Sequence, residues 1–299
     1  MKRARKITLF KFSYFGFCVL ALYAIALLLP LIWAFICSFK SFEEYNIFEN
    51  VLGLPLKVDL ASLIQNYKTA LTYGYASAVE EGQMIYYGIP MQLVHSLLYA
   101  GGCTVASTLV HSVTAYVVAR YDYKFSKVVY SIVIVTMILP VFGSMQSNLM
   151  LMKSIGLFDT FLGAWYMQAH FLTSAFLIYY AQFKQIPKDY TEAARIDGAS
   201  HFYTMTKVIM PLAKGTIGTL AIVNFVTYWN DYMTPMVYLP SKPVLAVGMF
   251  QFGVRMGAAL ASAPTKVAYM MLTSLPVLLF YILFNKKLMG NVSMGGIKG

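Results

Sequence analysis

The residues whose types and spacing could do chemistry are concentrated in one polar segment, residues 184–211. Six of them form a charged, alanine-containing stretch that ends in glycine: Glu192, Ala193, Ala194, Arg195, Asp197 and Gly198. Asp189 can cap a first short helix, Gly198 can end it in the left-handed conformation, and Ser200 can cap a second helix to about residue 210. A helix this short needs support from the chain or from a partner. The segment therefore suits docking in a protein cleft, although the same caps occur in ordinary solvated connectors.

A second candidate site is the run Trp229, Asn230 and Asp231. Aromatic rings stack on sugar rings, while amide and carboxylate groups hydrogen-bond to hydroxyls. An ionisable group at membrane depth is by default a functional candidate. The run is also typical of a helix end at a membrane interface, the commoner use of such groups, where Trp229 anchors the helix and Asp231 caps it or pairs with a partner. Both interpretations stay open.

Motifs for catalysis or energy conversion are missing from the sequence. It contains no GxxxxGK(S/T) phosphate loop, HExxH zinc motif, nucleophile elbow or Cys/His cluster. The three cysteines, Cys18, Cys37 and Cys103, lack paired or metal-type spacing. We therefore expect no enzyme activity, no catalytic residue and no metal site, and any energy for work must come from a partner.

The elements that position these residues are membrane helices. Of the 299 residues, 59% are hydrophobic and only 12% are charged, against about 25% in soluble domains. Charge-free runs of roughly 20 residues predict membrane-spanning helices, and a shorter run before Asp231 needs extension at both ends. We expect one domain, 1–299, with six spans at about 12–38, 92–118, 128–152, 161–183, 212–235 and 266–286.

The distribution of Lys and Arg predicts the orientation of the spans. With the N terminus in the cytoplasm, 16 of the 23 Lys and Arg lie on the cytoplasmic side. Both termini and the 184–211 segment are then cytoplasmic, whereas the long loops 40–90 and 236–264 lie outside. Membrane topology thus accounts for the net charge of +11, and no nucleic acid partner is required.

The stretch "EAARIDGAS" followed by "VIMP" resembles the EAA signature of permease subunits of bacterial ABC importers. The residues that fill this pattern are Glu192, Ala193, Ala194, Gly198, Ile209 and Pro211. Three other pieces resemble the carbohydrate-uptake branch, whose familiar members are maltose-type permeases: "NFVTYWNDYMTPMVYL", "GIKG" at 296–299 and "QNYKTAL" at 65–71. His95-Ser96 departs from the Asn-Ser that this branch has at the start of its second span.

The resemblance implies an all-α, six-span, MetI-like permease fold with cytoplasmic termini in the bacterial cell membrane. It also implies a permease subunit of an ATP-driven, binding-protein-dependent importer of sugars, oligosaccharides first among them. The subunit would form half of the translocation pathway and work by alternating access. The alternative is a stand-alone secondary carrier or channel for a small polar solute, whose loop merely looks like the signature.

The partners follow from the same resemblance. They are a second permease subunit of different sequence, a dimer of ATPase subunits that binds ATP and Mg, an extracytoplasmic solute-binding protein, the sugar and membrane lipid. This chain itself would hold no cofactor. Residues 189–201 would be the coupling helix, and the residues expected at the ATPase are Glu192, Ala193, Ala194, Arg195, Asp197, Gly198, Lys298 and Gly299. Trp229, Asn230 and Asp231 are the expected substrate-pathway residues.

Overall fold

The computed structural model describes residues 2–46, 53–57, 59–80, 82–139, 143–255 and 263–292, which are mainly helical as the sequence predicts. The chain divides into two compact units, residues 1–74 with 252–273 and residues 75–251 with 274–299. In chain order the elements are α1 (Lys2–Cys37), α2 (Phe42–Asn46), α3 (Leu60–Tyr73), β1 (Ala76–Glu80), β2 (Gln83–Tyr87), α4 (Ile89–Arg120), α5 (Lys124–Ile138), α6 (Ser144–Ser154), α7 (Phe161–Gln168), α8 (Ser174–Gln185), α9 (Asp189–Ile196), α10 (His201–Tyr203), a π-helical stretch (Thr204–Ile209), α11 (Met210–Leu212), α12 (Lys214–Asn230), α13 (Met233–Tyr238), α14 (Leu245–Arg255) and α15 (Ala263–Val292).

Long apolar helices support a membrane location. In the described part of the chain, three helical segments are long and apolar enough to cross a bilayer: Gly16–Cys37, Ile89–Arg120 and Ala263–Phe284. A bent pair, His201–Leu212 and Lys214–Asn230, passes the same criterion when taken together, and its two arms meet at 79°. The count of six spans stays a prediction.

Two of the expected spans are each divided between two helices. The span 128–152 is interrupted between α5 and α6, where Gly143 takes the left-handed conformation with φ 79°. The span 161–183 is interrupted between α7 and α8, and Thr173 there is extended. Some backbone groups at this break find hydrogen-bond partners nearby. The N–H of Ala169 donates to the carbonyl of Tyr166, and the N–H of Thr173 donates to the carbonyl of Phe171. A charge-free run measures the tendency to enter lipid but carries no information on where the helix breaks.

The smaller unit is organised around the buried side chain of Asn66 in α3. Its amide Nδ2 donates to the carbonyl of Ser38 at 3.0 Å and to that of Lys40 at 2.8 Å, just after α1 ends. Its Oδ1 accepts from the hydroxyl of Thr265 at the start of α15, at 3.2 Å. Asp59 caps α3 by accepting from two backbone N–H groups. One amide therefore connects three helices of this unit.

A β-hairpin in the larger unit was not predicted. Strands β1 and β2 pair antiparallel, from Ala76 opposite Tyr87 to Glu80 opposite Gln83. The expected 40–90 loop therefore contains a short sheet, whereas the other elements of the described residues are helical. The alternation of small and aromatic residues around a glycine was the available sequence signal.

Helix α4 is the central helix of the larger unit. Near its end Tyr116 packs with Phe176, Tyr179 and Phe183 of α8, while near its start Tyr99 belongs to a second buried cluster with residues of α7 and α14. Small residues of α4 permit close approach. A Cβ placed on Gly102 would lie only 2.0 Å from Nε1 of Trp165, whose indole N–H donates to the carbonyl of Leu98 at 3.0 Å.

Candidate functional site: the Glu-Ala-Ala helix

The first candidate site is α9, Asp189–Ile196, here called the Glu-Ala-Ala helix. Its end follows the sequence prediction. Gly198 has φ 78° and donates to the carbonyl of Arg195, and the N–H of Ala199 reaches the carbonyl of Ala194 at 2.9 Å. These bonds serve carbonyls that a helix end leaves without partners, and glycine adopts the left-handed conformation without steric cost.

The helix begins at residue 189 as expected, but the predicted N-cap role of Asp189 is wrong. Asp189 lies inside the first turn, and the preceding Lys188 is already helical with φ −65° and ψ −25°. An N-cap side chain requires an extended backbone, which the chain lacks at this point. Asp189 and Glu192 instead place negative charge in the first turn, where it interacts favourably with the helix dipole. The second predicted cap is confirmed, because the Ser200 hydroxyl accepts from the N–H of Tyr203.

Exposure divides the predicted coupling residues into two groups. Ala194 is buried against the rest of the unit. The members that face solvent are Glu192, Ala193, Arg195, Asp197 and Gly198. The Ala pair therefore does not form one smooth face: one Ala packs inward and the other points outward. Glu192 forms no ion pair among the described residues, and as an exposed carboxylate it needs none.

An apolar residue completes the exposed surface of the helix. Ile196 in the last turn is 87% exposed, and Phe202 just beyond the turn is 70% exposed. Single exposed apolar residues are common, but two such large side chains in the same segment as the exposed Glu192 give a mixed surface that the described residues leave open to solvent. The surface is suited to contact with another protein.

The end of α4 holds the base of this segment. Arg120 donates to the carbonyl of Ile186 at 2.8 Å and to that of Pro187 at 3.4 Å. Tyr121 is hydrogen-bonded through its hydroxyl to Nδ1 of His201 at 2.8 Å. Charge-assisted bonds from a planar guanidinium fix the direction of the chain as well as its position. The Glu-Ala-Ala helix is thus held at its entry and just after its exit.

An exposed ion pair adds to this support. The ammonium of Lys188 donates to Asp122 Oδ2 at 3.3 Å. This hydrogen bond, together with the charges of Lys188 and Lys184, holds the pKa of the Asp122 carboxyl below its usual range. Sequence reasoning missed Arg120, Tyr121 and Asp122, although a charged cluster directly after a predicted span was a visible signal.

The second candidate site is more dispersed than the sequence suggested. Trp229 is buried, packed with Ala100 of α4 and Leu245 of α14. Asn230 is exposed and donates to the carbonyl of Val226 in its own helix. Asp231 is half-buried at the end of α12. The three side chains do not converge on a common surface.

Both carboxylate oxygens of Asp231 are engaged within the subunit. Oδ2 accepts from the Tyr99 hydroxyl at 2.9 Å, and Oδ1 accepts from the N–H of Thr234 at 3.1 Å. Asp231, directly after α12, thus accepts from an N–H in the first turn of α13 and ties the break between the two helices to α4. This is the capping role that was left open beside the substrate role.

Two other expectations concern residues elsewhere. Lys298 and Gly299 lie outside the described residues. His95, the departure from the carbohydrate-branch pattern, is buried and hydrogen-bonded through Nδ1 to the carbonyl of Pro243. Among the described residues, no group of three or more His, Cys, Asp or Glu is arranged to hold a metal.

Comparison with known proteins identifies similar chains over most of this length. The chain is 25% identical to the diacetylchitobiose uptake system permease protein NgcG of Streptomyces coelicolor, over 95% of this chain and 89% of that protein. It is 25% identical to the trehalose/maltose transport system permease protein MalG of Thermococcus litoralis, over 93% and 94%. It is 29% identical to the probable starch degradation products transport system permease protein AmyC of Thermoanaerobacterium thermosulfurigenes, over 92% and 95%.

A solved structure has the same fold. A chain in the crystal structure of a bacterial ABC transporter involved in the import of the acidic polysaccharide alginate superposes with a TM-score of 0.71 at 21% identity, covering 92% of this chain and 95% of that one. The model of the family "Binding-protein-dependent transport system inner membrane component" matches residues 111–289, which include the Glu-Ala-Ala helix. The resemblance drawn from the sequence is confirmed, and the chain belongs to the family of binding-protein-dependent transport system inner membrane components.

Proposed function

We propose that this permease subunit forms half of the pathway of an ATP-driven sugar importer and is driven through its Glu-Ala-Ala helix. The observation that carries the proposal is the presentation of that helix. Glu192 and Ala193 face solvent, Ile196 is 87% exposed, and Arg120 fixes the base of the segment. A supported helix with an exposed acidic and apolar surface is suited to a cleft in an ATPase subunit.

The coupling residues act by position. ATP and Mg would be bound by a dimer of ATPase subunits, and no step of hydrolysis involves this chain. Closure of the dimer would displace the docked helix and tilt the spans, a rigid-body route to alternating access. Glu192 would pair with a cation of the ATPase, and Arg195 and Asp197 would flank it. Lys298 and Gly299 at the C terminus would add a second contact with the ATPase pair.

The substrate class is proposed from the relatives. Their names specify diacetylchitobiose, trehalose or maltose, and starch degradation products. We infer an oligosaccharide as the transported solute of this subunit. Asn230 is exposed and available to a sugar hydroxyl. Trp229 and Asp231, which are more buried, would support the wall of the pathway.

Topology and partners complete the proposal. A single domain with six spans and cytoplasmic termini puts the 184–211 segment at the ATPase and the 236–264 loop at the solute-binding protein. The distribution of Lys and Arg supports this orientation. A second permease subunit of different sequence would supply the other half of the pathway in the bacterial cell membrane.

The decisive experiment is purification of the tagged chain from its native membrane in mild detergent, followed by mass spectrometry of the proteins that accompany it. We expect an ATPase subunit and a second permease. A chain that purifies alone and moves maltose, trehalose or diacetylchitobiose into liposomes without ATP would instead be a stand-alone carrier or channel.

The role of Glu192 is tested by charge reversal. We expect Glu192→Lys to reduce the co-purified ATPase by about tenfold or more, because it removes an ion pair at the centre of an interface and adds a like charge. Glu43→Lys reverses an exposed acid in the smaller unit and is the matched control. Equal ATPase recovery with both variants would remove Glu192 from the coupling site.

A further inference from the structure

An unusual residue lies outside the two candidate sites. Asp159, between α6 and α7, has φ 58° and is the non-glycine residue with positive φ in the described part of the chain. Its N–H donates to the carbonyl of Tyr238, at the end of α13, at 3.0 Å. Left-handed backbone at a non-glycine residue is strained and persists only where the surroundings hold it in place.

The surroundings of Asp159 form a closed set of contacts with the segment that follows α13. Its Oδ1 accepts from the N–H of Ser241 at 3.2 Å. The ammonium of Lys242 donates to the carbonyl of Asp159 at 2.6 Å and to the Ser241 hydroxyl at 2.9 Å, and it lies 3.7 Å from Oδ1. We call Asp159, Ser241 and Lys242 the Asp159 clasp. Both charged side chains are partly sheltered, so the pair is less screened than a fully exposed one.

Helix α4 holds the next part of the same segment. His95 is hydrogen-bonded through Nδ1 to the carbonyl of Pro243 at 3.1 Å. The hydroxyl of Ser96 accepts from the N–H of Leu245 at 2.8 Å, so a side chain of α4 serves the first turn of α14. The fixed position of Pro243 and Leu245 relative to α4 therefore rests on side chains rather than on regular backbone pairing.

The hairpin holds the far part of α14. The side-chain amide of Gln251 accepts from the N–H of Ser77 at 2.8 Å and donates to the carbonyl of Ser77 at 3.0 Å. This pair of bonds copies the pattern of a neighbouring strand along the edge of β1. Residues 238–251, which include the start of α14, are therefore held by the Asp159 clasp, by α4 and by β1. Connecting segments are usually more mobile than this.

We propose that the Asp159 clasp is a positioning device that presents α14 to the solute-binding protein in a fixed geometry. This inference rests on the proposed function, which assigns the 236–264 loop to that partner. A pre-ordered contact surface binds without a further entropic cost of ordering. Met249 and Phe250 remain exposed on the presented helix, and Phe250 stacks on Tyr232 at 4.9 Å.

The test uses the complete transporter in proteoliposomes and varies the concentration of the solute-binding protein. The transported probes are maltose, trehalose and diacetylchitobiose. Lys242→Met keeps the aliphatic stem and removes the ammonium. We expect it to raise the half-saturating concentration of binding protein by about tenfold, the scale of one charge-assisted hydrogen bond, with little change in the maximal rate.

Substitutions of Asp159 separate positioning from simple stability. Asp159→Gly removes the carboxylate, while glycine adopts the same left-handed backbone without steric cost, so the path of the loop is kept; its thermal stability is measured beside uptake. We expect it to raise the half-saturating concentration as Lys242→Met does. Asp159→Asn tolerates the same backbone and keeps an oxygen for Ser241, so a smaller increase is expected.

Different results would contradict the role of the clasp and the proposed importer function. Wild-type half-saturation in both Asp159→Gly and Lys242→Met would overturn the clasp while leaving the importer intact. An increase that only follows the loss of thermal stability would overturn it as well. Uptake by the wild-type complex that is independent of the binding protein would overturn the proposed function, and the inference with it.

Discussion

The Asn66 amide gives the sharpest stability prediction. Asn66→Ala removes the donor to two buried carbonyls, those of Ser38 and Lys40, and the acceptor for the Thr265 hydroxyl. Loss of a hydrogen-bond partner at a buried polar group costs about 1–3 kcal/mol, so the loss at the two carbonyls together predicts roughly 2–6 kcal/mol. At roughly 2 °C per kcal/mol for a chain of this size, that corresponds to a fall of roughly 4–12 °C in the unfolding temperature.

The measurement is thermal unfolding of the purified protein in detergent, followed by tryptophan fluorescence. Gln65→Ala is the matched control, because Gln65 is the exposed neighbour and, among the described residues, its side chain donates to Thr69 of the same helix. It should change the unfolding temperature by no more than about 2 °C, as other surface substitutions do. Asn66→Asp has the same shape but directs carboxylate oxygens at carbonyl oxygens, so it should be at least as damaging as Asn66→Ala. An unfolding temperature of Asn66→Ala equal to that of the Gln65→Ala control would refute the reasoning.

Three further predictions use the same preparation. Gly102→Ala should cost about 1–3 kcal/mol by overpacking against the indole 2.0 Å away, whereas Gly101→Ala, whose Cβ meets nothing within 4 Å, should be neutral in thermal unfolding. Gly198→Ala should cost about 1 kcal/mol from backbone strain alone at φ 78°, and Gly198→Asn should recover part of that loss; equal stability of all three proteins would contradict this. The depressed pKa of Asp122 means that its ion pair stabilises the 184–200 segment above the ordinary carboxyl pKa, and that this support disappears as the pH falls through the lowered value. Hydrogen exchange of that segment, corrected for the intrinsic pH dependence, should lose protection at acid pH in the wild type but not in Asp122→Asn.

Local features of the Glu-Ala-Ala segment were predictable because local residues determine them. The left-handed turn at Gly198 and the cap by Ser200 depend on neighbours within a few positions. The Asp189 cap was wrong since the chain enters the helix already in helical conformation at Lys188, which a capping pattern does not specify. Arg120 supplies the support from 66 residues away in the sequence.

Longer-range features required the fold. Asp231 was recognised as an unusual carboxylate, but its partner Tyr99 is 132 residues distant and belongs to a predicted span without any marker for that contact. The left-handed Asp159 has no sequence signature at all. The length of the charge-free runs could not place the breaks after α5 and α7, because that length is the same for a continuous and a divided span.

The bend between the His201–Leu212 and Lys214–Asn230 arms has a mechanical consequence. Two arms that meet at 79° form a lever, with the Glu-Ala-Ala helix attached near the free end of the shorter arm. At 1.5 Å per residue that arm is roughly 18 Å long, so a rotation of about 10° moves its end by about 3 Å. In the proposed importer, force applied along the membrane surface at the free end would become torque on the longer arm, and small displacements outside the bilayer would be converted into rotation within it.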